Sequence, residues 1–302
     1  MYFLLILLLP LFVFAEEPEA TSLLGKPLYR PEIDDKTRIE FEQKLSKAKA
    51  DFEKNPEDVN SIIWFGRRTA YLGHYGEAIA IYTLAMKKHP EDARLYRHRG
   101  HRYLTVREID KAIQDFEKAA KLVEGKEDEV EPDGLPNAKN IPTSTLNTNI
   151  FYHLGLSHYL KGDYARAENA YRDCLKFTKN EDMLVAVTHW LYMTLRRQGK
   201  TTEAANLLKP IKKEMNIIED FDYHLLCLLY KGEKNLEELL SDTKTEGLSG
   251  ATVSYGIGNW YFYNDQKEKA IETFRKIVDG KEWGAFGYLA SEAELARLEK
   301  KQ

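Results

Sequence analysis

Cysteine is almost missing from this chain: only Cys174 and Cys227 occur in 302 residues. That excludes a disulfide-stapled scaffold and a zinc-ribbon array. An excess of basic charge is missing as well. The 44 Lys and Arg stand against 48 Asp and Glu, a formal net charge of −4. A bulk nucleic-acid binder is usually basic overall, so the balance does not suggest one. The sequence carries no nucleophile elbow, no HExxH and no paired-carboxylate constellation, and it offers no catalytic centre. Apolar residues are not scarce. At 43% hydrophobic and 12% aromatic the chain is too apolar to be disordered.

Long apolar runs are rare too. The one run is residues 1–15, MYFLLILLLPLFVFA, without a charged side chain. As a helix it spans about 22 Å, short of the ~30 Å hydrocarbon core. It ends in Val13-Phe14-Ala15, with small residues where a signal peptidase reads, and Glu16, Glu17 and Glu19 follow. The expectation is a secretory signal over 1–15 and an exported protein, periplasmic or secreted, with no membrane span once the signal is cut. The run lacks an N-terminal Lys or Arg, and an uncleaved tether is the alternative.

What is present is a repeat. Gly66, Ala78, Tyr82 and Ala85 return 34 residues later as Gly100, Ala112, Phe116 and Ala119. The same internal spacing recurs in Gly155, Ala167, Tyr171, Cys174, and in Gly258, Ala270, Phe274, Ile277. A degraded copy is Tyr192, Ala204, Leu208, Ile211. A 34-residue unit fits two short helices and two turns. The small residue in the first helix and the Ala in the second let the backbones approach, and Gly73, Gly162, Gly199 and Gly232 mark the turn between them. Such pairs bury their apolar faces only by stacking.

These residues resemble the tetratricopeptide repeat (TPR) family, and with the signal they resemble its exported bacterial members. The resemblance covers roughly 59–280. It implies an all-α fold: a right-handed superhelical solenoid of about five to six antiparallel helix pairs. The expected layout is an extended segment at 16–34, a capping helix at 35–56, repeats one and two at 59–124, an insertion at 125–147, repeats three to six at 148–282 (the unit at 219–246 degenerate), and a closing helix at 284–302.

The resemblance also implies that four positions of each first helix line a concave groove. Those rows place Arg67, Arg94, Arg97, His101, Tyr152, Tyr159, His189, Met193, Arg196, Tyr255 and Asn259 on the inner face, with no Asp or Glu. Arg94, Arg97 and His101 share one helical face. Guanidinium groups grip carboxylates and phosphates bidentately, and Tyr adds apolar area with a polar tip. The expected function is an interaction scaffold that binds an acidic partner peptide, with a small anionic glycan or phosphate compound as the alternative ligand. The competing account of the arginines is pairing with Asp and Glu of neighbouring helices or of the insertion. Arg99 falls where the family has a buried Leu, and either a partner inside the fold or a local shift of register is expected there.

The insertion opens acidic (Glu127, Asp128, Glu129, Glu131, Asp133) and holds three prolines. Its acidic half is expected to fold towards the cationic second repeat and restrict the groove, or else to be a solvated loop. No metal or cofactor is expected, since His98, His101 and His153 lack a carboxylate or Cys at ligand spacing. Cys174 and Cys227 read as core thiols two units apart, beyond disulfide reach.

Overall fold

The computed structural model describes residues 17–243 and 247–299; the expected signal at 1–15 lies outside them. The described chain is about 66% helical, a right-handed solenoid of stacked helix pairs. A two-stranded hairpin, β1 (Ala20–Thr21) and β2 (Pro27–Leu28), comes first, followed by a lone helix, α1 (Asp35–Lys54). The pairs then run α2 (Val59–Tyr71) with α3 (Tyr75–Met86), α4 (Ala93–Thr105) with α5 (Ile109–Val123), and α6 (Leu146–Lys161) with α7 (Tyr164–Phe177). Next come α8 (Glu181–Arg197) with α9 (Thr201–Leu207), α10 (Phe221–Lys231) with α11 (Leu236–Asp242), and α12 (Gly247–Phe262) with α13 (Lys267–Val278). A last helix, α14 (Phe286–Glu299), follows.

Local chemistry sets the boundaries. Asp34, Asp58, Asn180 and Asn235 each accept a backbone N–H of the first turn of the helix they precede, the role for which short polar side chains are favoured. The turn between the helices of a pair takes a left-handed residue: Gly73, Gly162, Gly199 and Gly232 all have φ between +75° and +83°. In two pairs that place is filled instead by Arg107 (φ +68°) and Asp265 (φ +61°), where a side chain is unfavourable unless something holds it. The recurring helix-one glycine permits close approach. A Cβ on Gly155 would stand 2.6 Å from the Tyr171 ring, and one on Gly66 would stand 2.5 Å from Tyr82.

The solenoid closes on itself. An outer-layer helix buries one stripe, yet α6 buries 14 of its 16 residues and so has neighbours all round. It is flanked by α4, α5, α7 and α8, and α14, which packs on α12 and α13, also reaches it. The hairpin ties the two ends together. The Trp283 indole donates to Tyr29 O (2.8 Å), Leu23 N donates to the Glu292 carboxylate (3.4 Å), and Glu19 accepts Tyr75 N (3.1 Å) at the start of α3. One continuous apolar core runs from Leu28 to Leu295.

Candidate functional site

The inner face divides into a closed half and an open half. In the closed half the expected contact residues are interior. Tyr159, His189, Met193, Tyr255 and Asn259 are at most 1% exposed, and Tyr152 is 7% exposed. Here the structure differs from the expectation of a partner-facing row: these side chains spend their polar atoms on one another. Tyr255 Oη meets Tyr159 Oη at 2.8 Å, Asn259 Nδ2 bonds Tyr159 Oη, His189 Nδ1 meets Tyr230 Oη at 3.2 Å, and Tyr152 Oη meets Tyr223 Oη at 3.2 Å. Arg196 lies at the rim, donating to Tyr192 Oη and Tyr263 O at 3.0 Å each.

The physical reason is twofold: α10 covers Tyr152 and His189 with Tyr223 and Tyr230, and α14 closes over Tyr255. The helix α14 carries two glutamates, two residues apart, into the fold. Glu292 is fully buried and takes both arms of Arg107, at 3.0 and 3.1 Å. Glu294 is 2% exposed and is shared by Arg197 (2.6 Å) and Arg297 (2.7 Å). Sequence reasoning missed Arg107 and Arg197, because neither lies on a groove row. A signal existed for Arg107: it stands where the other pairs have Gly.

The open half is the face of α2 and α4. Asp92 caps α4 and binds the Arg94 guanidinium at 2.6 Å, while Arg94 also reaches Asn60 (3.0 Å). Arg99 forms a two-pronged pair with Asp115, at 2.7 and 2.8 Å, the internal partner its family position called for. The acidic segment of the 125–147 insertion lies against this face. Glu131 meets Arg97 Nε at 2.8 Å, His98 Nε2 at 3.8 Å and Arg67 Nη1 at 4.0 Å, and accepts Asn149 Nδ2 at 3.2 Å. Arg67 and Arg68 donate to Pro132 O and Gly134 O, at 2.7 and 2.9 Å. Gly134 packs so tightly on Tyr71 that a Cβ there would fall 1.6 Å from the phenol oxygen. The insertion is pinned at its base by Glu131 N on Ser144 O (3.2 Å) and Leu146 N on Glu129 O (2.8 Å).

The electrostatics follow from burial. Burial pushes the Arg97 guanidinium below its usual range, Glu131 opposes the fall, and Arg67 and Arg102 add to it. Burial, then Arg97, Arg67 and Arg102, holds the His98 imidazole well below its usual range. His101 is held down by burial and then by Arg102. These imidazoles are neutral near pH 7, so the fixed positive charge of the face is guanidinium. Between Trp64, Arg67, Arg94 and residues 129–132 a cleft of about 260 Å³ stays open.

Among the described residues no group of three or more His, Cys, Asp and Glu is placed to hold a metal. Cys174 and Cys227 are free and buried, and burial pushes both thiols up. No described helix is long and apolar enough to cross a membrane.

Comparison with known proteins agrees with the fold. Tetratricopeptide-repeat family models match residues 148–181 and residues 252–279, which are largely the α6–α7 and α12–α13 pairs. No curated protein matches the chain in sequence. A tetratricopeptide repeat protein from Parabacteroides merdae ATCC 43184 superposes with a TM-score of 0.51 at 16% identity, over 85% of this chain and 94% of that one. YrrB, described as a TPR protein with an unusual peptide-binding site, gives a TM-score of 0.44 at 18% identity, over 84% of this chain and 98% of that one. With the 34-residue period, the stacked pairs and the two matched repeats together, this chain is a tetratricopeptide-repeat protein.

Proposed function

We propose that this interaction scaffold receives an acidic segment of a partner protein on the open α2–α4 face, in the seat that Glu131 holds. Tetratricopeptide repeats are platforms for protein interaction, and the fold alone names no ligand. The observation that carries the reading is Glu131 itself. A carboxylate from outside the repeat pattern sits at Arg97, close to Arg67 and His98, so the seat already fits a carboxylate. The adjoining cleft offers Trp64 and Arg94 to the rest of a bound segment, and charge would orient its approach. The apolar run at 1–15 supports export, which would place the partner outside the cytoplasm.

The test is fluorescence anisotropy with a labelled Glu-rich peptide. Glu131→Gln removes the competing carboxylate and should tighten binding about tenfold, the size of one charge-assisted hydrogen bond or more. Arg67→Ala should weaken it. Affinity untouched by either change would refute the seat.

A further inference from the structure

Behind Glu131 the α2–α4 face holds a second, smaller cavity. It measures about 110 Å³ and is walled by Arg67, Arg97, Arg102, His98, His101 and the Tyr71 and Tyr82 rings, with Ala70 closing it. Among the described residues no carboxylate is on its wall. Among the described residues Glu131 is the one acid paired with any of its three arginines, and Arg102 makes no ion pair; it touches the His101 ring and lies 5.7 Å over the Tyr75 ring. Glu131 serves Arg97 and, at longer range, Arg67, and Asp133 also acts on Arg67, so Arg102 is the wall arginine without an acid, in a half-enclosed space where like charges repel far more than in water. Of the wall's cationic and imidazole residues, Arg97 and His98 are buried, at 9% and 6% exposed. Arg97 is buried and paired, whereas Arg102 is half-buried and has no acid beside it.

We propose that this cavity is a binding site for a phosphate monoester, with the rest of the ligand lying in the adjoining cleft, which shares Arg67 and His98 with it. The inference rests on the α2–α4 face being the binding face and names the chemistry of its deepest part. Charge decides for phosphate over a single carboxylate. A monoester carries about −1.5 to −2 near pH 7 and three acceptor oxygens, which suits three guanidinium groups converging on one small space better than a single carboxylate does. Size agrees. The cavity exceeds the ~30 Å³ share of one water several-fold, enough for one tetrahedral group and too little for a stretch of peptide. The neutral imidazoles of His98 and His101 each add one N–H donor without adding charge.

The experiment is calorimetric titration of the full chain with inorganic phosphate, glycerol phosphate, acetate, and an acidic peptide with and without one phosphoserine. Phosphate is expected to bind and acetate not. Arg102→Gln should weaken phosphate about tenfold or more, with no fall in the melting temperature in phosphate-free buffer, since it removes a repelling charge. Arg102→Lys should restore part of the affinity. No heat with phosphate, or equal affinity in the Arg102→Gln protein, overturns the inference. If the unphosphorylated acidic peptide binds while phosphate does not, the phosphate site falls and the carboxylate seat stands; if neither binds, both fall. A gain from phosphoserine identifies a phosphorylated partner. Binding of the two small phosphates without that gain supports the site with a small ester as its ligand.

Discussion

Gly155 and Gly100 hold the same column of the repeat under different pressure. A Cβ on Gly155 would meet the Tyr171 ring at 2.6 Å, whereas one on Gly100 would meet the Phe116 ring at 3.0–3.2 Å. Alanine gains about 1 kcal/mol of helix propensity over glycine, while forcing atoms into a packed interior costs about 1–3 kcal/mol. The two effects nearly cancel at Gly100, and the clash wins at Gly155. Gly155→Ala should therefore lower the urea midpoint clearly, and Gly100→Ala should leave it nearly unchanged. Equal shifts would show that the approach distance is not what the column protects. The repeat made both glycines legible in the sequence. The difference between them was not, because it depends on how each aromatic ring settles.

The helix α14 was legible as a helix and not as to its place. Its apolar spacing suits a polar-faced cap, but Glu292 and Glu294 point into the fold and bind Arg107, Arg197 and Arg297. Removing one partner of a buried pair leaves an uncompensated charge and costs about 3–5 kcal/mol. Arg107 also carries a left-handed backbone at φ +68°, which glycine adopts freely. Glu292→Ala should thus destabilise strongly, and Arg107→Gly added to it should recover most of the loss. A denaturation double-mutant cycle measures the coupling; additive losses would mean that the pair does not hold α14. The insertion repeats the lesson. Its acidic composition was plain, but only the fold shows that Glu131 is the residue that reaches Arg97.

At the scale of the whole molecule, closure puts imidazoles inside. Burial depresses His98, His101, His153, His158 and His189, with His153 and His189 pushed down to about 3. The unfolded chain binds protons at these groups below about 6.5 and the folded chain does not. Their contribution is complete above about 6.5 and is lost as pH falls from there towards 3. Each group contributes a slope of at most about 1.4 kcal/mol per pH unit. Burial raises the Asp115, Asp133 and Asp220 carboxyls, and these pull the other way. Five imidazoles against three carboxyls leave a net loss. Calorimetric melting should show the midpoint falling between pH 7 and pH 5, and a flat profile would contradict the burial of these rings.

The sequence by itself determined the repeat, its helix pairs, the glycine turns, the aromatic columns and the gathering of arginine on α4. Each of these is a local matter: a 34-residue period, a capping side chain, a left-handed turn, one helical face. The tertiary structure decided which half of the inner face is open. That depends on contacts such as Arg107 to Glu292, 185 residues apart. The rise and twist of every intervening pair sum to fix where α14, the hairpin and the insertion meet the first repeats. No local pattern carries that sum, so the same Arg and Tyr rows that read as one groove became a packed interior at one end and a cationic cleft at the other.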